Sequence, residues 1–162
     1  MDTIHRERRL FALAVWIGIC FLAAAVGNWA TGDAITTWYP NLVKPSWTPP
    51  NWLFGPVWTA LYIMMGVAAW WIWVQFGWRG GRVPLTLFLM QLGLNAYWSR
   101  AFFGLRQPGY GLFVILLLWM VLTVTTIAFG RADRRAGLLL LPYLAWVTFA
   151  AALNFELWRL NA

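Results

Sequence analysis

The sequence predicts an all-α membrane protein, a bundle of five transmembrane helices, and three observations predict it. Apolar side chains make up 62% of the 162 residues and charged ones only 10%, whereas about a quarter of a soluble domain is charged. The apolar residues gather into five runs of roughly twenty, the length that crosses a hydrocarbon core of about 30 Å. None of the runs alternates apolar with polar positions, as the strands of a membrane β-barrel must. The length suits one domain spanning 1–162.

The first helix is expected over 10–30, behind the charged start MDTIHRERR. Arg6, Arg8 and Arg9 ahead of it and Ala23, Ala24 and Ala25 within it also fit a secretory signal. The run is longer than the roughly 7 to 15 apolar residues of such a signal, so it is expected to stay as a span. Residues 31–50 form a long connection whose second half holds Pro40, Pro45, Pro49 and Pro50 among Trp38, Tyr39 and Trp47. Proline at that density excludes a regular helix and an interior strand, and the aromatic rings suit a membrane interface or a lid over a pocket.

The second helix is expected over 51–76, with Pro56 in its first turns where a missing N–H costs little. A tryptophan belt, a glycine turn and two arginines follow in WWIWVQFGWRGGR. The third helix is expected over 84–103, the fourth over 110–129, and the fifth over 137–158, interrupted early by Pro142 after the short basic turn GRADRR.

Counting loop cations gives eight on the N-terminal side (Arg6, Arg8, Arg9, Arg79, Arg82, Arg131, Arg134, Arg135) and four opposite (Lys44, Arg100, Arg106, Arg159). The positive-inside rule then puts the N-terminus in the cytoplasm. The net charge of +7 does not indicate nucleic acid, because the cations sit in short clusters between apolar runs and no nucleic-acid motif accompanies them. The one cysteine, Cys20, lies inside an apolar run and excludes an intramolecular disulfide or a cysteine metal cluster. The one histidine, His5, lies among N-terminal charges and reads as solvated. The five acidic residues are Asp2, Glu7, Asp33, Asp133 and Glu156, the last with Arg159 as its helix-end partner. They offer no paired carboxylates, proton relay or nucleophile–base set, and no metal site is expected.

Polar side chains inside spans should face the bundle interior. Gln91, Asn95, Trp98 and Phe102 recur at helical spacing on the third helix, Trp58, Tyr62, Met65 and Ala69 on the second, and Tyr143, Trp146, Ala150 and Asn154 on the fifth. Two readings stand at this point. The stripes simply pack the bundle, or they line a cavity for a flat, mostly apolar ligand with a few polar groups to orient it. Tryptophans such as Trp29, Trp47, Trp70, Trp71, Trp73, Trp78 and Trp158 lie near helix ends and read as interface anchors, whereas Trp58, Trp98 and Trp146 lie further in.

Three separated segments, WYPNLVKPSWTPPNWLFGPVWTALYIMMG at 38–66, QLGLNAYWSRAFFG at 91–104 and PYLAWVTFAAALNFELWRLN at 142–161, resemble in order the signatures of the translocator protein family, also called tryptophan-rich sensory proteins or peripheral-type benzodiazepine receptors. The resemblance implies a five-helix membrane bundle, commonly a homodimer, that binds tetrapyrroles such as protoporphyrin IX and heme, sterols, and synthetic benzodiazepine-type ligands. It implies that Tyr39, Trp58, Tyr62, Asn95, Trp98, Ser99, Trp146 and Ala150 contact the ligand. Some bacterial members degrade protoporphyrin IX in light, and the resemblance puts the tryptophans of that chemistry at Trp58 and Trp146.

The cholesterol-recognition pattern of animal members has Tyr where this chain has Phe155, which disfavours sterol binding there and favours a bacterial, porphyrin-related role. With no histidine in a span, tetrapyrrole binding should rest on stacking and shape, with no cofactor required. The expected partners are a porphyrin or another apolar small molecule, membrane lipid and a second copy of the chain. The main expectation is a tetrapyrrole binder closed by the 38–50 loop. The alternatives are a light-dependent porphyrin-degrading enzyme and a transporter.

Overall fold

The computed structural model describes residues 2–162, with side chains from Arg6 onward, so the side chains of Asp2 and His5 lie outside the described residues. Helix α1 spans Asp2–Thr31 and the short α2 spans Ala34–Thr37, followed by a 3-10 turn at Tyr39–Asn41. Helix α3 spans Asn51–Ser99 and closes in a π-type turn at Arg100–Gly104. Helices α4, Pro108–Ala132, and α5, Arg134–Asn161, complete the chain, with no strand among the described residues.

Four helical stretches are long and apolar enough to cross a membrane, one of them the 54 residues of Asn51–Gly104. The second and third apolar runs are therefore not separated by a loop, as the sequence suggested. Trp78 to Val83, read there as a glycine turn, is helical. The break is one residue, Gly77, whose φ of 59° and ψ of −168° leave the helical region. Glycine adopts that positive φ without the steric cost a Cβ imposes. A straight helix of 49 residues would be about 74 Å long. Instead α3 folds back, because Tyr62 meets Asn95 and Met65 meets Gln91 across its two arms.

One further turn is shorter than expected, and an expected helix interruption does not occur. The GRADRR turn reduces to Asp133, whose Oδ1 accepts from the backbone N–H of Arg135 at 2.8 Å and of Ala136 at 3.3 Å and so caps α5. Gly137 lies against the Gly130 backbone, where a Cβ would come within 2.6 Å, so the α4–α5 hairpin closes only with glycine there. Pro142 does not interrupt α5. Its ring is exposed, and membrane helices tolerate the carbonyl that proline leaves unpaired.

Helix α1 is seated on α3 and the turn after it by close backbone approaches: Gly66 lies beneath Ile17, and Gly104 beneath the Ala30 carbonyl. The two arms of α3 pack with α4 and α5 around a buried core of Met65, Ile72, Leu85, Phe88, Leu118, Leu122, Phe129, Leu140 and Tyr143. Gln91, Asn95 and Asn154 face the interior, as polar groups in a membrane span should. Glu156 pairs with Arg159 at 2.7 Å, the helix-end ion pair read from their spacing.

Candidate functional site

A cavity of about 300 Å³ lies between α1, both arms of α3 and α5, beneath the 31–50 connection. That volume is at the small end of ligand sites. Tyr39, Trp58, Tyr62, Asn95, Trp98, Ser99, Trp146 and Ala150 all line it, so the structure brings together the eight residues singled out from the sequence.

The three stripes supply its walls. Trp58 stacks on Tyr62 with centroids 5.5 Å apart and meets Tyr143 edge-on at 6.1 Å. The Tyr62 hydroxyl donates to Asn95 Oδ1 at 2.7 Å, and Asn95 Nδ2 donates to the Tyr143 hydroxyl at 2.9 Å, which fixes the amide in the cavity floor. Trp98 stacks on Phe102 at 5.5 Å and donates its indole N–H to Asn154 Oδ1 at 3.1 Å, while Asn154 Nδ2 reaches the Pro108 carbonyl at 2.7 Å. Trp146 packs on Phe54 and Phe149, and its indole N–H is enclosed without a partner. A buried donor left in this state costs roughly 1–3 kcal/mol. Ala150 leaves open space beside it, and the Ser99 hydroxyl lies where Gly27 permits close approach of α1.

The connection forms the roof. Tyr39 is buried against Phe102 and Phe103, and this burial raises its hydroxyl above the ordinary value of 10.0 and keeps it neutral. The Lys44 ammonium sits 4.7 Å above the Tyr39 ring and donates to the carbonyls of Pro40 and Leu42. Val43 is held by Asn161 at the end of α5, which accepts from its N–H and donates to its carbonyl, both at 2.9 Å. Asp33 pairs with Arg106 at 3.3 Å, tying the start of the connection to the turn before α4. Trp47 covers Phe149.

Sequence reasoning missed the contribution of α1. Ala24, Asn28 and Thr31 line the cavity, and their spacing of four and three is the same helical signal that identified the other stripes. Phe54, Phe103, Leu153 and Leu157 were also missed, since apolar residues on a membrane helix carry no mark of which face they occupy. Several of the tryptophans read as interface anchors have inward partners, among them Trp47 on Phe149 and Trp73 on Trp16. Trp70 donates to the Arg9 carbonyl at 2.9 Å, and the Arg135 guanidinium covers the Trp71 ring. Among the described residues no three His, Cys, Asp or Glu side chains converge as metal ligands.

The sequence pattern of the TspO/MBR family matches residues 16–159. The tryptophan-rich protein TspO of Chlorobaculum tepidum is 45% identical over 157 residues, covering 96% of this chain and 99% of that protein. The translocator protein of Homo sapiens is 40% identical, with 93% and 88% covered, and the tryptophan-rich sensory protein of Cereibacter sphaeroides is 39% identical, with 88% and 90% covered. A family pattern that takes in nearly the whole chain, together with these identities over almost full lengths and a multi-pass helical membrane fold, shows that the chain belongs to the TspO/MBR family.

Proposed function

We propose that this protein is a membrane-embedded binding protein for tetrapyrroles such as protoporphyrin IX and heme, and for related flat apolar ligands, acting as a sensor, carrier or regulator. The observation that carries the reading is the cavity: aromatic faces form its walls, a few amides and hydroxyls are held in fixed orientations, and the Trp146 indole N–H is enclosed with no acceptor. A conjugated ring stacks on such walls, and a carbonyl or carboxylate at its edge satisfies the Trp146 donor. The described spans hold no histidine, so stacking and shape dominate and metal-free porphyrin binds at least as well as heme. The words sensory and translocator in the relatives' names accord with ligand binding in a membrane.

The same proposal includes a five-span bundle in which Gly77 marks the reversal between two spans of α3, a cytoplasmic N-terminus following the arginine count, and a homodimer. Trp58 and Trp146 both line the cavity, which supports a second reading in which these indoles act as redox partners in light- and oxygen-dependent porphyrin degradation.

Titration of the detergent-purified protein with protoporphyrin IX in the dark, followed by illumination, tests both. Saturable quenching of tryptophan fluorescence with stable porphyrin absorbance is the outcome for a binder. Bleaching that outpaces a Trp146→Phe variant of equal affinity would favour the enzyme. Absence of saturable quenching would return the aromatic stripes to plain packing.

A further inference from the structure

The end of the bundle away from the cavity carries an unusual concentration of positive charge. Arg79 and Arg82 follow the Gly77 joint, Arg131, Arg134 and Arg135 flank the α4–α5 turn, and Arg9 begins the apolar part of α1. These groups share one end, because the Arg9 carbonyl accepts from Trp70 at 2.9 Å and Gln75 donates to Asp133 at 3.2 Å across the same junction. All six are exposed, and none forms an ion pair among the described residues. The described carboxylates nearby are Glu7 and Asp133, and Asp133 is already engaged by Gln75 and the start of α5.

The cations border exposed apolar side chains on the same elements: Leu10 and Phe11 on α1, and Phe76, Trp78 and Val83 around the joint of α3. An anion that used only the arginines would leave this apolar rim bare. An amphiphile with a phosphate head and hydrocarbon tails matches both surfaces at once.

We propose that this end of the molecule is a binding surface for anionic phospholipid, the headgroup phosphate held among the arginines and the acyl chains lying along the apolar rim. The surface is separate from the cavity and does not depend on what the cavity binds. Selectivity for acidic over zwitterionic lipid follows from charge, at about fivefold for each arginine within reach of a headgroup, and declines as salt screens the exposed pairs.

The test uses the full chain in a mild nonionic detergent with equal amounts of phosphatidylglycerol and phosphatidylcholine, the retained lipids being counted by native mass spectrometry. The expected result is preferential retention of phosphatidylglycerol, weakened by salt and abolished by Arg79→Gln, Arg82→Gln, Arg134→Gln and Arg135→Gln together. The corresponding lysine variants should keep most of the preference, and Arg106→Gln with Arg159→Gln at the opposite end should leave it intact. Should the four-fold glutamine variant fail to fold, by loss of helical circular dichroism, the pairs Arg79→Gln/Arg82→Gln and Arg134→Gln/Arg135→Gln are each expected to lower it. Equal retention of the two lipids would overturn the proposal, as would a preference that survives in the glutamine variants. Displacement by inorganic phosphate as effectively as by excess phosphatidylglycerol would also overturn it, since the arginines would then serve a soluble anion.

Discussion

At the end of the bundle that holds the cavity, three of the four cations are engaged: Lys44 caps carbonyls and covers Tyr39, Arg106 pairs with Asp33, and Arg159 pairs with Glu156, while Arg100 is exposed. At the other end Arg79, Arg82, Arg131 and Arg134 point outward without an ion-pair partner among the described residues. Backbone geometry differs in the same way. The cavity end is joined by a long proline-rich connection that needs side-chain contacts to hold its shape, whereas the arginine end turns on single residues, Gly77 and Asp133. Polar side chains at the cavity end therefore maintain an enclosure, and those at the arginine end remain free to meet the surroundings.

The largest expected effect comes from the seam between α1 and the turn after α3. A Cβ at Gly104 would lie 2.5 Å from the Ala30 carbonyl oxygen, a backbone atom that cannot rotate away. Gly104→Ala should cost about 1–3 kcal/mol, seen as a lower unfolding temperature in detergent. Gly130→Ala near the arginine end meets nothing within 4 Å and should be neutral or slightly stabilising, since alanine suits a helix interior better. Equal losses at both positions would show that the close approach to Ala30 is not what makes Gly104 costly to replace.

Next in size is Asn154→Leu, which strips the partner from the Trp98 indole and from the Pro108 carbonyl. A loss of about 0.6 to 2 kcal/mol should appear in thermal unfolding, with weaker ligand-induced quenching because Trp98 is no longer held. Asn161→Ala removes the two bonds to Val43 at an exposed site. It should leave the unfolding temperature nearly unchanged and speed ligand dissociation roughly two- to tenfold, the equivalent of about 0.5–1.5 kcal/mol. Stopped-flow displacement measures this, and a dissociation rate equal to that of the unaltered chain would show that the connection does not close the cavity.

The smallest effect is pH-dependent and belongs to the arginine end. Desolvation raises the Asp133 carboxyl, but the bonds it accepts from Gln75 and from the N–H groups of Arg135 and Ala136 together outweigh that and hold the group below its ordinary value of 3.8. A depressed folded value contributes stability above the unfolded one and loses it as pH falls through the folded one. Unfolding in acid, below about pH 4, should therefore show a small drop that Asp133→Asn lacks.

Much of this architecture is legible in the sequence because a membrane demands long apolar runs, and the same demand makes interior polar groups conspicuous. Asn95, Trp98, Tyr62 and Trp146 could be assigned to a shared interior from spacing alone, since a polar or half-polar face recurring every three or four residues has nowhere else to go. The joint at Gly77 was not legible, because GWRGGR holds three glycines and only the backbone reveals which of them leaves the helix. The Asn161–Val43 clasp and the Asp33–Arg106 pair join residues 118 and 73 apart. No local pattern marks such a partnership. The α1 lining was missed for a different reason: Asn28 and Thr31 fall at the end of an apolar run, where polar residues ordinarily mean that the run is leaving the membrane.

The single-residue joint at Gly77 has a mechanical consequence. The two arms of α3 are fastened to each other by Tyr62–Asn95 and lack a slack connection through which they could slide past one another. They act as one stiff lever that carries Trp58, Tyr62, Asn95 and Trp98 of the cavity wall. Compliance is left to α1, which rests mainly on α3, and to the proline-rich roof. Admission of a guest should therefore be one-sided, with amide exchange accelerating in 24–48 while 55–100 keeps its protection.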